Sequence, residues 1–325
     1  MSEPLTNYKS TPSPTTIVLD AHLIKTYRAC EQKFKWFQEE HVIPKAMKAA
    51  PSFGIAMHDG LAGFRQAKKD GADYSTAYEK GAKDLLESYK KHMPLENQSE
   101  VKQDDARSAR NALRLYTGFC EHFEPAGLEY LYVEVPFALF LDQVYIPLSD
   151  QKKDVIYTGI IDAVIKDHGV VRVNDIKSSG WTITDKSLNI YKMDQGLKGY
   201  VVATKQLLGL DTNYACVHAL WVQGEPKDPK RAKPLDSYFH NKDLYWDDEQ
   251  LEEWKLDTLR TAVKIETSKL TDEWQKDNGQ NCGAFGGCDY LDLCSRTPSA
   301  RQQLIDLDFA KGIWTPLESE RMQKL

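Results

Sequence analysis

The alternation of apolar and polar positions predicts a β-hairpin near the middle of the chain. Its two arms, Val155–Lys166 and Val170–Ile176, are rich in β-branched residues. Between them lies His168-Gly169, and a glycine in the second place of a two-residue loop suits a type I′ turn, which needs positive φ. A three-residue loop is the alternative, and it would shift the register of the two arms.

The two-residue loop places two acidic side chains opposite one another. Residue 167 then faces residue 170, Asp162 falls opposite Asp175, and Lys177 shares their face of the hairpin. Opposed like charges destabilise a sheet. A bound Mg²⁺ or Mn²⁺ would remove the repulsion, because these ions prefer carboxylate oxygens. A solvated acidic face, or a salt bridge from Lys177, explains the hairpin alone equally well.

Spacings of three and four residues predict helices on both sides of this hairpin. The apolar residues Leu23, Tyr27, Phe34 and Phe37 predict a helix over 21–40, with Asp20 as its N-cap. Further helices are predicted over 55–69, 72–93, 100–124, 193–208 and 247–276, and further strands over 129–141, 213–223 and 237–245. Helices and strands thus alternate along the predicted chain.

Composition and charge exclude several classes of protein. Hydrophobic residues make up 41% of the chain and charged residues 28%, which is ordinary for a globular protein. There is no apolar run of membrane-spanning length and no secretory signal, so we expect a cytoplasmic protein with no membrane partner. The net charge of −6 argues against a generally basic nucleic-acid-binding surface, but it leaves room for a local basic groove.

Six cysteines in such a chain suggest metal binding or free thiols before disulfides. Cys282, Cys288 and Cys294 follow one another closely among glycines, and three thiolates with no nearby histidine suit an iron–sulfur cluster or zinc. A fourth ligand is needed. Cys30 is the natural candidate, although its apolar helical stripe also suits a small core residue.

Two motifs of the hairpin resemble a known family. Gly159-Ile160-Ile161-Asp162, followed by Asp175-Ile176-Lys177, is similar to the signature of the PD-(D/E)XK nucleases, in particular the RecB-like and CRISPR-associated exonucleases. This chain has Asp175 where that group more often has Glu. The resemblance implies an α/β fold with a central mixed β-sheet flanked by helices. It places a restriction-endonuclease-like nuclease core over 129–278, a helical N-terminal part over 17–128, and a cysteine-cluster segment with a tail over 279–325. Residues 1–16, rich in Pro, Ser and Thr, are predicted to be a disordered tail.

The resemblance also implies a metal site. The family carries a histidine on a helix before the carboxylates, and His58 in GIAMHDGL has the matching position and flanking glycine. A lone helical histidine is otherwise more often structural. His58, Asp162, Asp175 and the carbonyl of Ile176 would then hold Mg²⁺ or Mn²⁺.

Three further residues receive catalytic roles from the resemblance. Lys177 would orient the attacking water or stabilise charge on the phosphate. Gln195 and Tyr200 correspond to a Q-x3-Y element of the family, but the spacing here is Q-x4-Y. Only one of the two is expected to keep the role, and Tyr200 in the core is the alternative.

In the same group, one N-terminal and three C-terminal cysteines hold a [4Fe–4S] cluster that joins the two ends of the chain. Cys30 lies in the matching place, so Cys30, Cys282, Cys288 and Cys294 would be the ligands. The usual C-x2-C-x5-C spacing is C-x5-C-x5-C here. Zn²⁺, or a state without a cluster, therefore stays open.

Together these features predict a metal-dependent DNA exonuclease or end-processing nuclease of recombination, repair or phage DNA metabolism. Its substrate would be linear ends or single strands of DNA in a bacterial or phage-infected cell. A recombinase, a single-strand-binding protein or a helicase would be its partner. A CRISPR-adaptation nuclease that trims spacer precursors is one alternative, and a non-catalytic DNA-binding scaffold of the same fold is another.

Two groups of basic residues have two possible interpretations: they contact DNA phosphates, or they form an ordinary solvated surface. Arg107, Arg110 and Arg114 share a helical face, for which the solvated reading is favoured. The loop Gly224–Pro234 carries four basic residues, namely Lys227, Lys230, Arg231 and Lys233.

Overall fold

The structure, a computed structural model, describes residues 5–8, 15–45, 49–93, 105–124, 128–226, 228, 230, 232–277, 279–283, 287–317 and 322–324. Lys227 and Arg231 of the basic loop, and residues 1–4 and 9–14 of the N-terminal segment, lie outside this part. Among the described residues, no helix combines the length and the apolar character needed to cross a bilayer.

The chain forms ten strands and eleven α-helices within the described residues. The strands are β1 Leu5–Thr6, β2 Thr16–Leu19, β3 Val42–Pro44, β4 Glu129–Ile146, β5 Gln151–Asp167, β6 Val170–Ser179, β7 Tyr214–Trp221, β8 Phe239–Tyr245, β9 Phe309–Trp314 and β10 Met322–Lys324. The helices are α1 Ala21–Ala29, α2 Glu31–Phe34, α3 Ala49–Lys69, α4 Tyr74–His92, α5 Ala109–Phe123, α6 Asp185–Leu188, α7 Gln195–Leu208, α8 Asp248–Thr271, α9 Gln280–Gly283, α10 Leu291–Ser295 and α11 Pro298–Asp308.

The central sheet is mixed and has seven strands, which confirms the predicted fold class. Its order is β1-β4-β5-β6-β7-β8, and β2 pairs with β5. The pairs β1–β4, β2–β5 and β6–β7 are parallel, whereas β5–β6 and β7–β8 are antiparallel. A second sheet has the order β10-β9-β3.

The chain divides into two compact units, each made of several segments. Unit 1 comprises Met1–Ala46, Pro136–Gly159 and Glu249–Leu325, and unit 2 comprises Met47–Val135 and Ile160–Asp248. The consecutive segments 17–128, 129–278 and 279–325 stay a prediction. Tertiary contacts group segments that are far apart along the chain, and no local pattern reports such contacts.

The hairpin formed by β5 and β6 has the predicted register. Asp167 pairs with Val170, and the pairing continues to Ala163 and Asn174. His168 and Gly169 have φ values of 48° and 83°, the positive values that a type I′ turn requires. The two-residue loop is therefore confirmed.

The first predicted helix is interrupted, which corrects the prediction of a continuous helix over 21–40. Asp20 caps α1 as expected, accepting a hydrogen bond from Leu23 N. Cys30 then adopts an extended conformation, with φ −168° and ψ 114°, and its Sγ accepts a hydrogen bond from Lys33 N. A single residue thus ends α1 and caps α2, and a five-residue π-helix, Lys35–Glu39, follows.

Two short parts of the N-terminal segment contact strand β4. Leu5 and Thr6 pair with Phe137 and Ala138 of β4. Tyr8 stacks on Phe140, with ring centroids 5.9 Å apart. These contacts are with a distant strand, so local composition could not predict them.

The interior of unit 2 is a large apolar cluster between helices and sheet. Residues of α3, α4 and α5 pack with Ile176 of β6 and Leu220 of β7. A charged pair is also buried in this unit, with Arg65 Nε 3.2 Å from Glu124 Oε1 and both side chains at most 2% exposed. Burial raises the pKa of Glu124 to about 7, although the Arg65 guanidinium acts in the opposite direction.

Candidate active site

The β5–β6 hairpin opens where the two acidic residues meet. Its pairing ends at Ala163 and Asn174, and the next positions along the same register are Asp162 and Asp175. Instead of continuing the ladder, the backbone N–H of Ile176 donates a hydrogen bond to Asp162 Oδ2 at 2.9 Å. The Asp162 carboxylate is thereby fixed beside the second strand.

Asp175 and Lys177 form a close pair on β6. Lys177 Nζ donates a hydrogen bond to Asp175 Oδ1 at 2.8 Å, and it lies 2.6 Å from Oδ2. Asp175 is 2% exposed, and burial raises its pKa. Burial by itself would lower the pKa of Lys177, but the charges of Asp175 and Asp162 outweigh it and raise this pKa above its ordinary value. The ammonium group therefore stays charged at neutral pH.

His58 on α3 belongs to the same cluster. Its Nδ1 lies 3.4 Å from Asp162 Oδ2. Burial lowers the pKa of His58, while the charge of Asp162 and a hydrogen bond with the backbone of Ile176 partly oppose this effect. The imidazole is thus neutral at neutral pH, the form that binds metal ions.

The backbone of α3 packs against a side chain of β6 at this point. A Cβ built on Gly54 would lie 3.3 Å from Ser178 Oγ, so there is little room there for a larger residue. His58 follows Gly54 by four residues, about one helical turn, and so projects from the same face. This packing explains why a glycine precedes the histidine.

Two residues that the sequence did not single out also face the cluster. Asp194 is the N-cap of α7, where it accepts a hydrogen bond from Leu197 N at 2.9 Å. The charge of Asp194 raises the pKa of both Asp175 and Lys177. Burial raises the pKa of Tyr191. The charges of Asp175 and Asp194 raise it further, and the charge of Lys177 opposes them. In the sequence, only the position of Asp194 directly before Gln195, where a helix cap is expected, could have pointed to this residue.

The two remaining catalytic candidates lie on α7. Gln195 is its first residue, and its Nε2 donates a hydrogen bond to the carbonyl of Met193 at 3.3 Å. Tyr200 lies further along the helix and is half-buried. Their catalytic roles stay predictions.

The donors of the cluster fit a hard divalent cation. Among the described residues, no three His, Cys, Asp or Glu side chains lie close enough to share one ion. Mg²⁺ does not need three, because it keeps several waters and is usually held by one or two carboxylates. Asp175 is a nearly fully buried carboxylate beside a second carboxylate, and a divalent cation would offset the cost of both charges.

The four candidate cysteines all lie in unit 1. Cys30 Sγ accepts hydrogen bonds from the backbone N–H groups of Lys33 and Asp277, both at 3.4 Å. Trp36 Nε1 donates to Cys294 Sγ at 3.4 Å, and Cys288 N donates to Cys282 O at 2.8 Å. Within the described part of the chain these thiols do not form a group close enough to bind a single ion.

Two of the three arginines predicted to share a helical face, Arg110 and Arg114, contact other groups of the protein. Arg114 Nη2 donates to the carbonyl of Gln223, and its guanidinium lies 4.8 Å from the ring centroid of Tyr238. Arg110 pairs with Glu225 at 3.5 Å. Arg114 therefore has a structural role that the helical pattern did not reveal.

Comparison with known proteins adds the family. The model described as the PD-(D/E)XK nuclease superfamily matches residues 21–295, most of the chain. A search of the curated proteins found no match. The chain is also similar to a candidate exonuclease of known crystal structure from Eubacterium rectale, with 10% identity, 86% of this chain and 88% of that chain covered, and a TM-score of 0.43. The crystal structure of SSO0001 is similar at 14% identity, with 78% and 85% covered and a TM-score of 0.23. Because both scores are low, neither structure contributes to the assignment.

Proposed function

The chain belongs to the PD-(D/E)XK nuclease superfamily, and from that premise we propose that it is a metal-dependent deoxyribonuclease that digests DNA from its ends. The main support is the position of Asp162 at the point where β5 and β6 separate. It is fixed there by Ile176 N–H, beside the ion pair of the buried Asp175 with the partly exposed Lys177. Asp162 and Asp175 would hold Mg²⁺ or Mn²⁺. His58 and the Ile176 carbonyl would join them as the ion draws the groups together, because no three such side chains lie close enough to share one ion among the described residues. When bound, such an ion polarises the scissile phosphate and lowers the pKa of a bound water.

The protein's own groups supply the remaining chemistry. The charged Lys177 ammonium, held by Asp175, would stabilise the negative charge that develops on the phosphate when water attacks phosphorus. The bond from phosphorus to the 3′-oxygen breaks, and this oxygen takes a proton from solvent. Asp162 is kept in place by a backbone donor, so it needs no rearrangement before the reaction.

We further propose that Cys30, Cys282, Cys288 and Cys294 bind a [4Fe–4S] cluster, with Zn²⁺ as the alternative, and that either group would draw the thiols closer together than they lie among the described residues. The support is the N–H groups of Lys33, Asp277 and Trp36, which point at Cys30 and Cys294. Donors of this kind stabilise thiolate ligands. For the cellular role we propose recombination, repair or phage DNA metabolism in the cytoplasm, with a recombinase, a single-strand-binding protein or a helicase as partner.

The nuclease proposal is tested by digestion of linear DNA with Mn²⁺ or Mg²⁺. Asp162→Ala and Lys177→Ala should each lower the rate at least about 10²-fold, while circular dichroism stays unchanged. Lys166→Ala is the matched control, because Lys166 is an exposed lysine of the same hairpin. Undiminished digestion by either variant would exclude this site. DNA binding by the wild-type protein without cleavage in any divalent ion would indicate a non-catalytic scaffold instead.

A further inference from the structure

The carboxyl ends of the parallel strands β6 and β7 carry aromatic and basic side chains. These side chains have no role in the candidate metal site at Asp162 and Asp175. Ser179 pairs with Trp221 at this end, and Val222 N donates a hydrogen bond to Ser179 O at 2.7 Å. Trp181 follows Ser179 by two residues. Both indoles therefore lie at the same edge of the sheet, in unit 2.

Trp181 is held by its backbone while its ring faces solvent. Trp181 N donates to Ser179 Oγ at 3.1 Å, and the same hydroxyl donates to Trp181 O at 3.0 Å. The residue is nevertheless 73% exposed, the largest value among the exposed large hydrophobic residues of the described chain. A rigid backbone with an open indole face is a surface on which a planar group can stack.

Two basic groups lie at this edge of the sheet. A Cβ built on Gly180 would be 3.0 Å from Arg107 Nη2, which places the guanidinium beside the residue that precedes Trp181. At the end of β7, Lys233 Nζ lies 4.5 Å from the ring centroid of Trp221.

The segment 181–193 begins at this edge and continues toward the candidate metal site at Asp162 and Asp175. It carries exposed Lys186 and Lys192 against one exposed acid, Asp185, and Tyr191 lies within electrostatic reach of Lys177. Trp181 is only four residues beyond Lys177, which limits their Cα separation to about 15 Å. A few nucleotides of a strand whose phosphate lies at the metal cluster would cover this distance.

We propose that Trp181, with Arg107 beside Gly180 and Lys233 beside Trp221, binds the unpaired bases and the phosphates of single-stranded DNA leaving the active site. Proteins that bind single strands without sequence preference combine stacking aromatic rings with a positive groove. A paired base exposes no face to an indole, so this site selects single strands or frayed ends over intact duplex. The inference rests on the proposed nuclease function, whose substrate class it specifies.

The test is binding of a fluorescent oligothymidylate in EDTA, where metal-dependent cleavage cannot occur. Trp181→Ala should weaken binding roughly 5- to 150-fold, the range for loss of one stacked base. Trp181→Phe should keep most of the affinity, because it retains an aromatic face. Tyr245→Ala is the matched control. Tyr245 is an exposed aromatic residue of β8, and it pairs with Tyr214 at the other end of β7.

A strand of abasic sites separates stacking from charge. Wild-type protein and Trp181→Ala should bind it equally, because it keeps the phosphates and lacks the bases. Equal binding of oligothymidylate by both proteins would overturn the proposal, and so would an equal loss for Tyr245→Ala or an equal loss on blunt duplex.

Hydrolysis of bis(4-nitrophenyl) phosphate with Mn²⁺ distinguishes failure of this inference from failure of the nuclease proposal. This ester reports the metal-dependent chemistry of the wild-type protein without a DNA strand to bind. A wild-type protein that cleaves neither the ester nor DNA would refute the proposed nuclease function. The binding experiment would still decide whether Trp181 stacks on bases.

Discussion

His58 Nδ1 on α3 lies 3.4 Å from Asp162 Oδ2 on β5, although the two residues are more than 100 positions apart in the sequence. The helix reaches the strands because Gly54 allows its backbone to approach Ser178. Burial lowers the pKa of His58, so the imidazole is neutral and can donate its lone pair to a metal. The contact thus connects the N-terminal helical region with the acidic hairpin.

His58→Ala should raise the Mn²⁺ concentration needed for half-maximal DNA digestion at least about tenfold, by the scale of losses seen when groups around a metal are removed. The rate at saturating Mn²⁺ should fall less. Titration of activity with Mn²⁺ checks this, and His92→Ala at the end of α4 is the control. An unchanged Mn²⁺ requirement would remove His58 from the metal site.

Gly169 fixes the register of the hairpin, because its φ of 83° disfavours any residue with a Cβ. Gly169→Ala should lower the free energy of unfolding by about 1–2 kcal/mol. Gly169→Asn should cost less, since asparagine tolerates the left-handed region. Urea denaturation of the three proteins measures this. Equal losses for the two variants would show that the backbone conformation is not the cause.

The buried Glu124 should make stability depend on pH. Its pKa is raised to about 7 in the folded state, from an ordinary value of 4.5. The folded protein therefore holds a proton that the unfolded chain has released, and this contribution to stability is lost as pH rises from about 4.5 to 7. Glu124→Gln cannot titrate, so the difference in unfolding free energy between wild type and variant isolates the group.

We expect wild type to lose roughly 3 kcal/mol relative to Glu124→Gln between pH 4.5 and pH 7.5, with little change above that. Urea denaturation across this pH range measures the difference. If the difference in unfolding free energy between wild type and Glu124→Gln stayed constant over this pH range, Glu124 would remain ionised throughout. Arg65, whose Nε lies 3.2 Å from Glu124 Oε1, would be the cause.

The proposed cluster predicts metal content. Protein purified without oxygen should contain iron and sulfide, and Cys30→Ala or Cys288→Ala should lose them. Cys120→Ala is the control, because Cys120 is a fully buried thiol of α5. Bound zinc without iron would assign the four cysteines to Zn²⁺. A metal-free protein that folds normally would refute both forms of the proposal.

The hairpin could be predicted from the sequence because its rules are local. Two β-branched arms and a glycine in the second loop position determine the turn, and the turn determines which residues of β5 and β6 are opposite. The family motifs then led to the site residues. The proximity of Asp162, Asp175 and Lys177 follows from these local rules alone.

Other features depend on contacts that no local pattern reports. The end of α1 at Cys30 depends on a sulfur atom that accepts hydrogen bonds from Lys33 and Asp277, the latter almost 250 residues away. Asp194 and Tyr191 approach the cluster only because the segment after β6 folds back on it. The strand at Leu5–Thr6 needs β4 as its partner.

The most direct test of the account is the position of bound manganese. A crystal of the wild-type protein grown with Mn²⁺ should show an anomalous difference peak within about 2.5 Å of carboxylate oxygens of both Asp162 and Asp175. The peak should disappear in Asp162→Asn. A map without manganese between these two carboxylates, or with manganese only elsewhere, would contradict the proposed active site.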